Sequence, residues 1–194
     1  MSLKYGMVVD VENLTKLRLG MRDILTSMIF GVTAGVLASI LERVDAVITG
    51  GSATPFGYSN TYAWVLLSAY LYGPFGALIM TEVQALIGLL TAANPLSWLW
   101  PAVNAVFAIA AGSTALIIQK ARPKSSAKIR IMTMSVALAL LDVPAVYFVV
   151  VLVLSLPMIV YYFALPMYIG LQLVPATLLA YLLLKALEKA GPKI

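Results

Sequence analysis

Two carboxylic acids, Glu82 and Asp142, lie inside long apolar stretches and are the residues best placed to do chemistry there. Glu82 is the only charged residue in 46–119, and Asp142 is the only one in 131–184. A charge at the centre of a membrane helix costs about 2.5–3.5 kcal/mol, so such residues usually face a cavity and mark a function. Alternatively, each acid is neutral and hydrogen-bonded across the bundle, or Asp142 interrupts its helix together with Pro144.

Aromatic and amide side chains accompany the two acids in the sequence. An acid with aromatic walls suits a flat ligand that is cationic or carries an amine, through charge pairing and cation–π contact. Trp and Tyr also favour the headgroup level of a membrane, and for Trp98 and Trp100 an interfacial belt is the simpler interpretation. The residues predicted to bind a substrate are Glu82, Asn60, Tyr58, Trp64, Asn94, Trp98, Asn104, Asp142 and Tyr147.

Several kinds of active site are absent from the sequence. The chain contains no Cys and no His, which excludes thiol catalysis and metal ligation by histidine. It also lacks the G-x-x-x-x-G-K-[ST], G-x-S-x-G and H-E-x-x-H motifs of nucleotide-binding, hydrolase and metalloprotease sites. The basic residues are spread out and give no nucleic-acid site. We therefore expect no catalytic residue, no metal and no cofactor.

The composition is that of a membrane protein, with 62% hydrophobic and 11% charged residues, against roughly a quarter charged in soluble proteins. A spanning helix needs about 20 mostly apolar residues. Breaks at Gly73-Pro74, Asn94-Pro95 and Ser155-Leu156-Pro157 divide the apolar runs. The predicted fold is an all-α bundle of six transmembrane helices, at 24–44, 61–72, 75–92, 96–119, 129–154 and 158–187.

The basic residues orient this bundle. They precede the first span, follow the fourth and follow the sixth, so six spans place all three groups on one side, which the positive-inside rule makes the cytoplasm. We predict a cytoplasmic segment 1–22, a membrane domain 23–190, a basic cytoplasmic loop 120–130 and both termini in the cytoplasm of a multi-pass plasma-membrane protein. The long outer segment 45–60, rich in Gly and Pro, is either a lid over a binding site or a plain connector.

Small residues form a stripe along the first span. Gly31, Ala34, Gly35 and Ala38 recur at helical spacing, with an A-x-x-x-A pattern from Ala34 to Ala38. Such residues allow a second helix to approach closely. We predict a helix-packing surface here, used either inside the bundle or with a partner protein.

This layout resembles the substrate-binding S component of energy-coupling factor importers, which are small six-helix vitamin-binding subunits with cytoplasmic ends. Nearest is the thiamine-precursor type, through Gly73-Pro74-Phe75-Gly76, then Glu82, Ala85-Leu86 and Asn94-Pro95, with Asp142 in helix five. The motif covers about twenty residues around Glu82. The absence of histidine departs from the cobalt and nickel S components and argues against a metal substrate.

The resemblance implies a transport subunit and not an enzyme. Its expected partners are a small vitamin, thiamine or its pyrimidine precursor, the membrane lipid, a transmembrane coupling subunit that meets the stripe at Ala34 and Ala38, and two ATPase subunits. Glu82 would anchor the vitamin. Two other hypotheses remain open at this point: a stand-alone transporter that uses Glu82 and Asp142 as proton carriers, and an assembly protein that binds no ligand.

Overall fold

The computed structural model describes residues 19–50, 53–91 and 95–190, and these residues form helices and short connections only. Five long apolar segments are candidate membrane spans, which confirms the prediction of an all-α, multi-pass membrane protein. They are Met21–Thr49, Pro55–Thr91, Ser97–Ala121, Ala127–Val153 and Met158–Ala190.

Within these segments we number six α-helices in chain order. A 3₁₀ turn at Ser97–Leu99 leads into the third helix, and π-helical turns at Phe148–Val153 and Gln172–Ala176 follow the fourth and fifth. The helices are α1 Met21–Thr49, α2 Pro55–Thr91, α3 Trp100–Ala121, α4 Ala127–Tyr147, α5 Met158–Leu171 and α6 Thr177–Ala190.

Helix α2 folds back on itself at Gly73. The Gln84 Nε2 atom donates a hydrogen bond of 2.6 Å to Thr61 Oγ1, whereas residues this far apart in an uninterrupted helix would be separated by about 34 Å. Gly73 has φ 66° and ψ −160°, and Pro74 follows it. The predicted break at Gly73-Pro74 is therefore a reversal between two packed halves, 55–72 and 74–91.

Gly73 adopts a backbone conformation that is essentially confined to glycine, and strain of this kind costs about 1–3 kcal/mol per residue. We expect Gly73→Ala to lower the midpoint of thermal unfolding in detergent by several degrees. Gly170→Ala is the matched control, because a Cβ atom there meets no other atom within 4 Å. Equal melting of the two variants would mean that the reversal does not depend on glycine.

Helix α1 lies against both halves of α2. Asn60 Nδ2 donates to the carbonyl oxygen of Ala34 at 3.1 Å in the first half, and Ser39 Oγ lies 2.8 Å from Thr91 Oγ1 in the second. The first half is central, with Ala63, Leu66 and other side chains completely buried. This central position explains why its sequence contains no charged residue, since charged side chains are rarely fully buried.

The small-residue stripe packs inside this arrangement. Ala34 is completely buried, and a Cβ atom on Gly31 would lie 2.6 Å from the carbonyl oxygen of Met80. A Cβ atom on Gly35 would lie 2.7 Å from Ile87 Cβ, and Ala38 is also buried. The close approach that the stripe permits is therefore used by α2 of the same chain, which is the first of the two uses that the sequence left open.

The predicted outer segment 45–60 is mostly helical. Helix α1 continues to Thr49, α2 begins at Pro55, and the connection between them spans 50–54. Asp45 explains the early start of α2, since its carboxylate accepts hydrogen bonds from the N–H groups of Phe56 at 3.1 Å and Gly57 at 2.8 Å. A carboxylate that accepts from the first N–H groups stabilises a helix start. The segment is therefore not a loop of sixteen residues.

Candidate functional site

A cavity of about 260 Å³ opens among all the helices except α6. Its lining includes the second half of α1 from Gly35 to Glu42, the beginning of α3 at Trp100 and Asn104, and the end of α4 from Asp142 onward. The basic residues Lys120 and Lys185 lie toward the opposite ends of their helices. The cavity therefore occupies the end of the bundle away from the basic segments.

Two carboxylic acids, Glu42 and Asp142, line this cavity, and none of the described lining residues is Lys or Arg. The remaining wall combines apolar side chains with tyrosine, tryptophan and amide groups. A few polar groups among aromatic walls are typical of small-molecule sites, whose volumes are usually about 300–1,000 Å³. The size of this cavity favours a compact ligand, and its acids favour one with a positive charge or an amine.

Asp142 is the more deeply buried of the two acids, with 1% of its surface exposed. Its Oδ1 atom accepts a hydrogen bond of 2.7 Å from the hydroxyl of Tyr58, and its Oδ2 atom is buried without a hydrogen-bond partner among the described residues. Helix α4 continues through Asp142 and Pro144 to Tyr147, so the acid does not interrupt its helix. A ligand donor that reaches Oδ2 would remove the cost of this unpaired buried oxygen.

Three tyrosines surround the acid and line the cavity. The ring centroid of Tyr58 lies 4.3 Å from that of Tyr62 and 4.8 Å from that of Tyr168. Phe107 meets Tyr62 edge-on at 5.1 Å and fixes that ring from behind. Tyr58 and Tyr62 share one face of α2 because they are four residues apart. The aromatic faces and Asp142 therefore form one continuous wall.

Glu42 is the less deeply buried of the two acids in the cavity wall. It lies on α1 beside Gly57, where a Cβ atom would come within 2.5 Å of Glu42 Cγ. Gly35, Ala38 and Ser39 line the cavity on the same helix face. The small residues Gly35 and Ala38 of the stripe therefore leave open space in the cavity. The same stripe also packs against α2.

Glu82 does not line the cavity. In the half 74–91, the residues that face the cavity are Gln84, Ala85 and Gly88, and Glu82 lies on a different side of that helix. Glu82, the vitamin anchor that the resemblance implies, therefore lies outside this cavity, and Asp142 is the predicted acid that lines it.

The other predicted binding residues are divided. Tyr58 and Asn104 line the cavity together with Asp142. Asn60 and Trp64 form an internal pair, because Trp64 Nε1 donates to Asn60 Oδ1 at 3.2 Å. Two further predicted residues are not in the wall: Trp98 is 60% exposed, and Tyr147 packs against Tyr161 at 5.6 Å. The remaining one, Asn94, lies outside the described residues.

Sequence reasoning missed several residues of the wall. Three aromatic residues of the wall were not among the predicted binding residues: Tyr62, Trp100 and Tyr168. The four-residue spacing of Tyr58 and Tyr62 could have indicated that both lie on one helix face. Nothing in the sequence distinguished Glu42 from an ordinary charge at the end of a span. Among the described residues, no group of three or more His, Cys, Asp or Glu side chains is placed to hold a metal ion.

Comparisons of the chain with protein-family models, with curated proteins and with solved structures gave no significant match.

Proposed function

We propose that this protein is the substrate-binding subunit of an importer of the energy-coupling factor type. It captures a compact amine-bearing or cationic aromatic solute, of which thiamine and its pyrimidine precursor are favoured. It then delivers that solute to an ATP-driven coupling module. The observation that carries the proposal is the unpaired Oδ2 atom of Asp142, buried in a tyrosine-walled cavity with a second acid in its wall.

The proposed topology has six membrane passes and both termini in the cytoplasm. The reversal at Gly73 supports it, because each half of α2 has about 18 residues and is then about 27 Å long, close to the thickness of a bilayer core. With six passes, all the basic segments lie on the cytoplasmic side. The cavity then faces the exterior, from which an imported solute arrives.

The positions of the two acids favour this function over a stand-alone proton-coupled transporter. Asp142 faces the cavity, whereas Glu82 lies on another side of the bundle, so the two do not share one site. A proton-coupled carrier would take up its solute without any partner, and an uncoupler would abolish that uptake. The binding subunit is expected to accumulate solute only when the coupling subunit and ATPases are present.

A thermal-shift screen tests the proposal. The purified protein, in mild detergent, is heated with thiamine, with its pyrimidine precursor or with other B vitamins. At a ligand concentration 100 times Kd, binding adds about 2.7 kcal/mol of stability. We expect a clear upward shift with one compact amine-bearing or cationic aromatic vitamin. If none of these compounds shifts the unfolding transition, the vitamin assignment is wrong.

A further inference from the structure

The half 74–91 of α2 presents an apolar outer surface with Glu82 at its centre. Phe75, Leu86 and Leu89 are 48%, 54% and 41% exposed, and their spacing from Glu82 places all four residues on one side of a helix. We call these four residues the Glu82 face. None of these four residues lines the cavity.

The carboxylate on this face has no hydrogen-bond or ion-pair partner among the described residues. Its Oε1 atom is shielded from the surface and accepts no hydrogen bond from the described residues. The segments that pack around it, within 24–41 and 46–119, contain no Lys or Arg. A carboxylate in an apolar membrane environment is costly and usually pairs with another group. No described residue therefore pairs with Glu82, and the exposed side of its helix is open to a partner from another chain.

The depth of Glu82 restricts the nature of that partner. Glu82 is nine residues after Gly73 and nine before Thr91, which places it about 13 Å along the helix from either end, near the middle of a bilayer core of about 30 Å. Lipid headgroups do not reach this depth. A second copy of the chain, joined through the same face, would set one acid against another.

We propose that the Glu82 face is the docking surface for a transmembrane helix of a partner protein that carries a Lys or Arg near the centre of the membrane. This inference rests on the proposed function in one respect, since the natural partner would be the coupling subunit. The cation pairs with the Glu82 carboxylate, and Phe75, Leu86 and Leu89 pack against the partner helix. The face thus takes the role that the small-residue stripe was expected to have.

The test uses the full-length protein in liposomes, labelled for energy transfer to a synthetic single-span helix. Two helices are compared, both polyleucine, one with a central Lys and one with a central Leu. We expect the lysine helix to associate about tenfold more tightly than the leucine helix. Glu82→Gln should abolish the difference, and Leu86→Trp should weaken both associations. The matched control Leu140→Trp, on an exposed position of α4, should change neither.

Equal association of the two helices with the unsubstituted protein would overturn the proposal, as would an unchanged preference in Glu82→Gln. Self-association of the labelled protein that requires Glu82 would also overturn it, in favour of a dimer. Glu82→Gln should retain the shift in melting caused by vitamin, which shows that the variant is folded. A preference for the lysine helix without any vitamin shift would contradict the proposed function alone. A vitamin shift without any preference for the lysine helix would contradict the docking surface alone.

Discussion

Asp142→Asn is expected to weaken binding of the cavity's ligand about a hundredfold, whereas Glu82→Gln leaves the affinity within a factor of about three. Asp142 is buried and offers the unpaired Oδ2 atom to the ligand, while Glu82 lies outside the cavity. Loss of one member of a buried charged hydrogen-bonded pair typically costs about 2–5 kcal/mol of binding free energy. Titration calorimetry of the purified variants measures the two dissociation constants.

Tyr58→Phe is a graded control for this prediction. It removes the hydroxyl that donates to Asp142 Oδ1 and retains the aromatic wall, so a loss of about tenfold is expected from one charge-assisted hydrogen bond. If Glu82→Gln abolishes binding and Asp142→Asn does not, the ligand lies at Glu82, and the cavity has been given the wrong role.

Gly31→Leu is expected to destabilise the protein by about 3 kcal/mol, because a larger side chain must push α1 away from α2. The nearest obstacle to a Cβ atom is the backbone oxygen of Met80 at 2.6 Å, which no side-chain rotation can relieve. Val36→Leu on the exposed side of the same helix is the matched control. Thermal unfolding followed by circular dichroism should show a fall of roughly 10 °C for Gly31→Leu and little change for the control.

Gly31→Leu also decides between the two uses of the small-residue stripe. A variant that melts like Val36→Leu but no longer associates with a coupling subunit would return the stripe to the role of a partner surface. A variant that loses stability together with ligand binding identifies the stripe as internal packing.

The apolar runs and their Gly-Pro breaks were sufficient to predict a helical membrane protein and the reversal at Gly73. They failed at 45–60, where Gly50, Pro55 and Gly57 suggested a loop. Helix α2 begins already at Pro55 because Asp45, ten residues earlier, accepts hydrogen bonds from the first N–H groups of that helix. Contacts between distant residues of this kind are not visible in local composition.

The sequence predicted the type of candidate site but only some of the residues that form it. The sequence indicated an acid among aromatic residues, and Asp142 with Tyr58 meets that description. It could not show that Gln84 faces inward and Glu82 does not, because lipid and protein interior are equally apolar. Hydrophobic periodicity therefore carries little information about which side of a membrane helix faces the core.

The most direct test asks from which side the cavity is reached and whether a ligand occupies it. The chain has no cysteine, so Ala145→Cys places a single thiol in the cavity wall, one turn beyond Asp142. A membrane-impermeant maleimide should label this thiol in intact cells, and thiamine or its pyrimidine precursor should slow the labelling. Labelling confined to inside-out vesicles, or labelling that no vitamin slows, would contradict an outward-facing vitamin site.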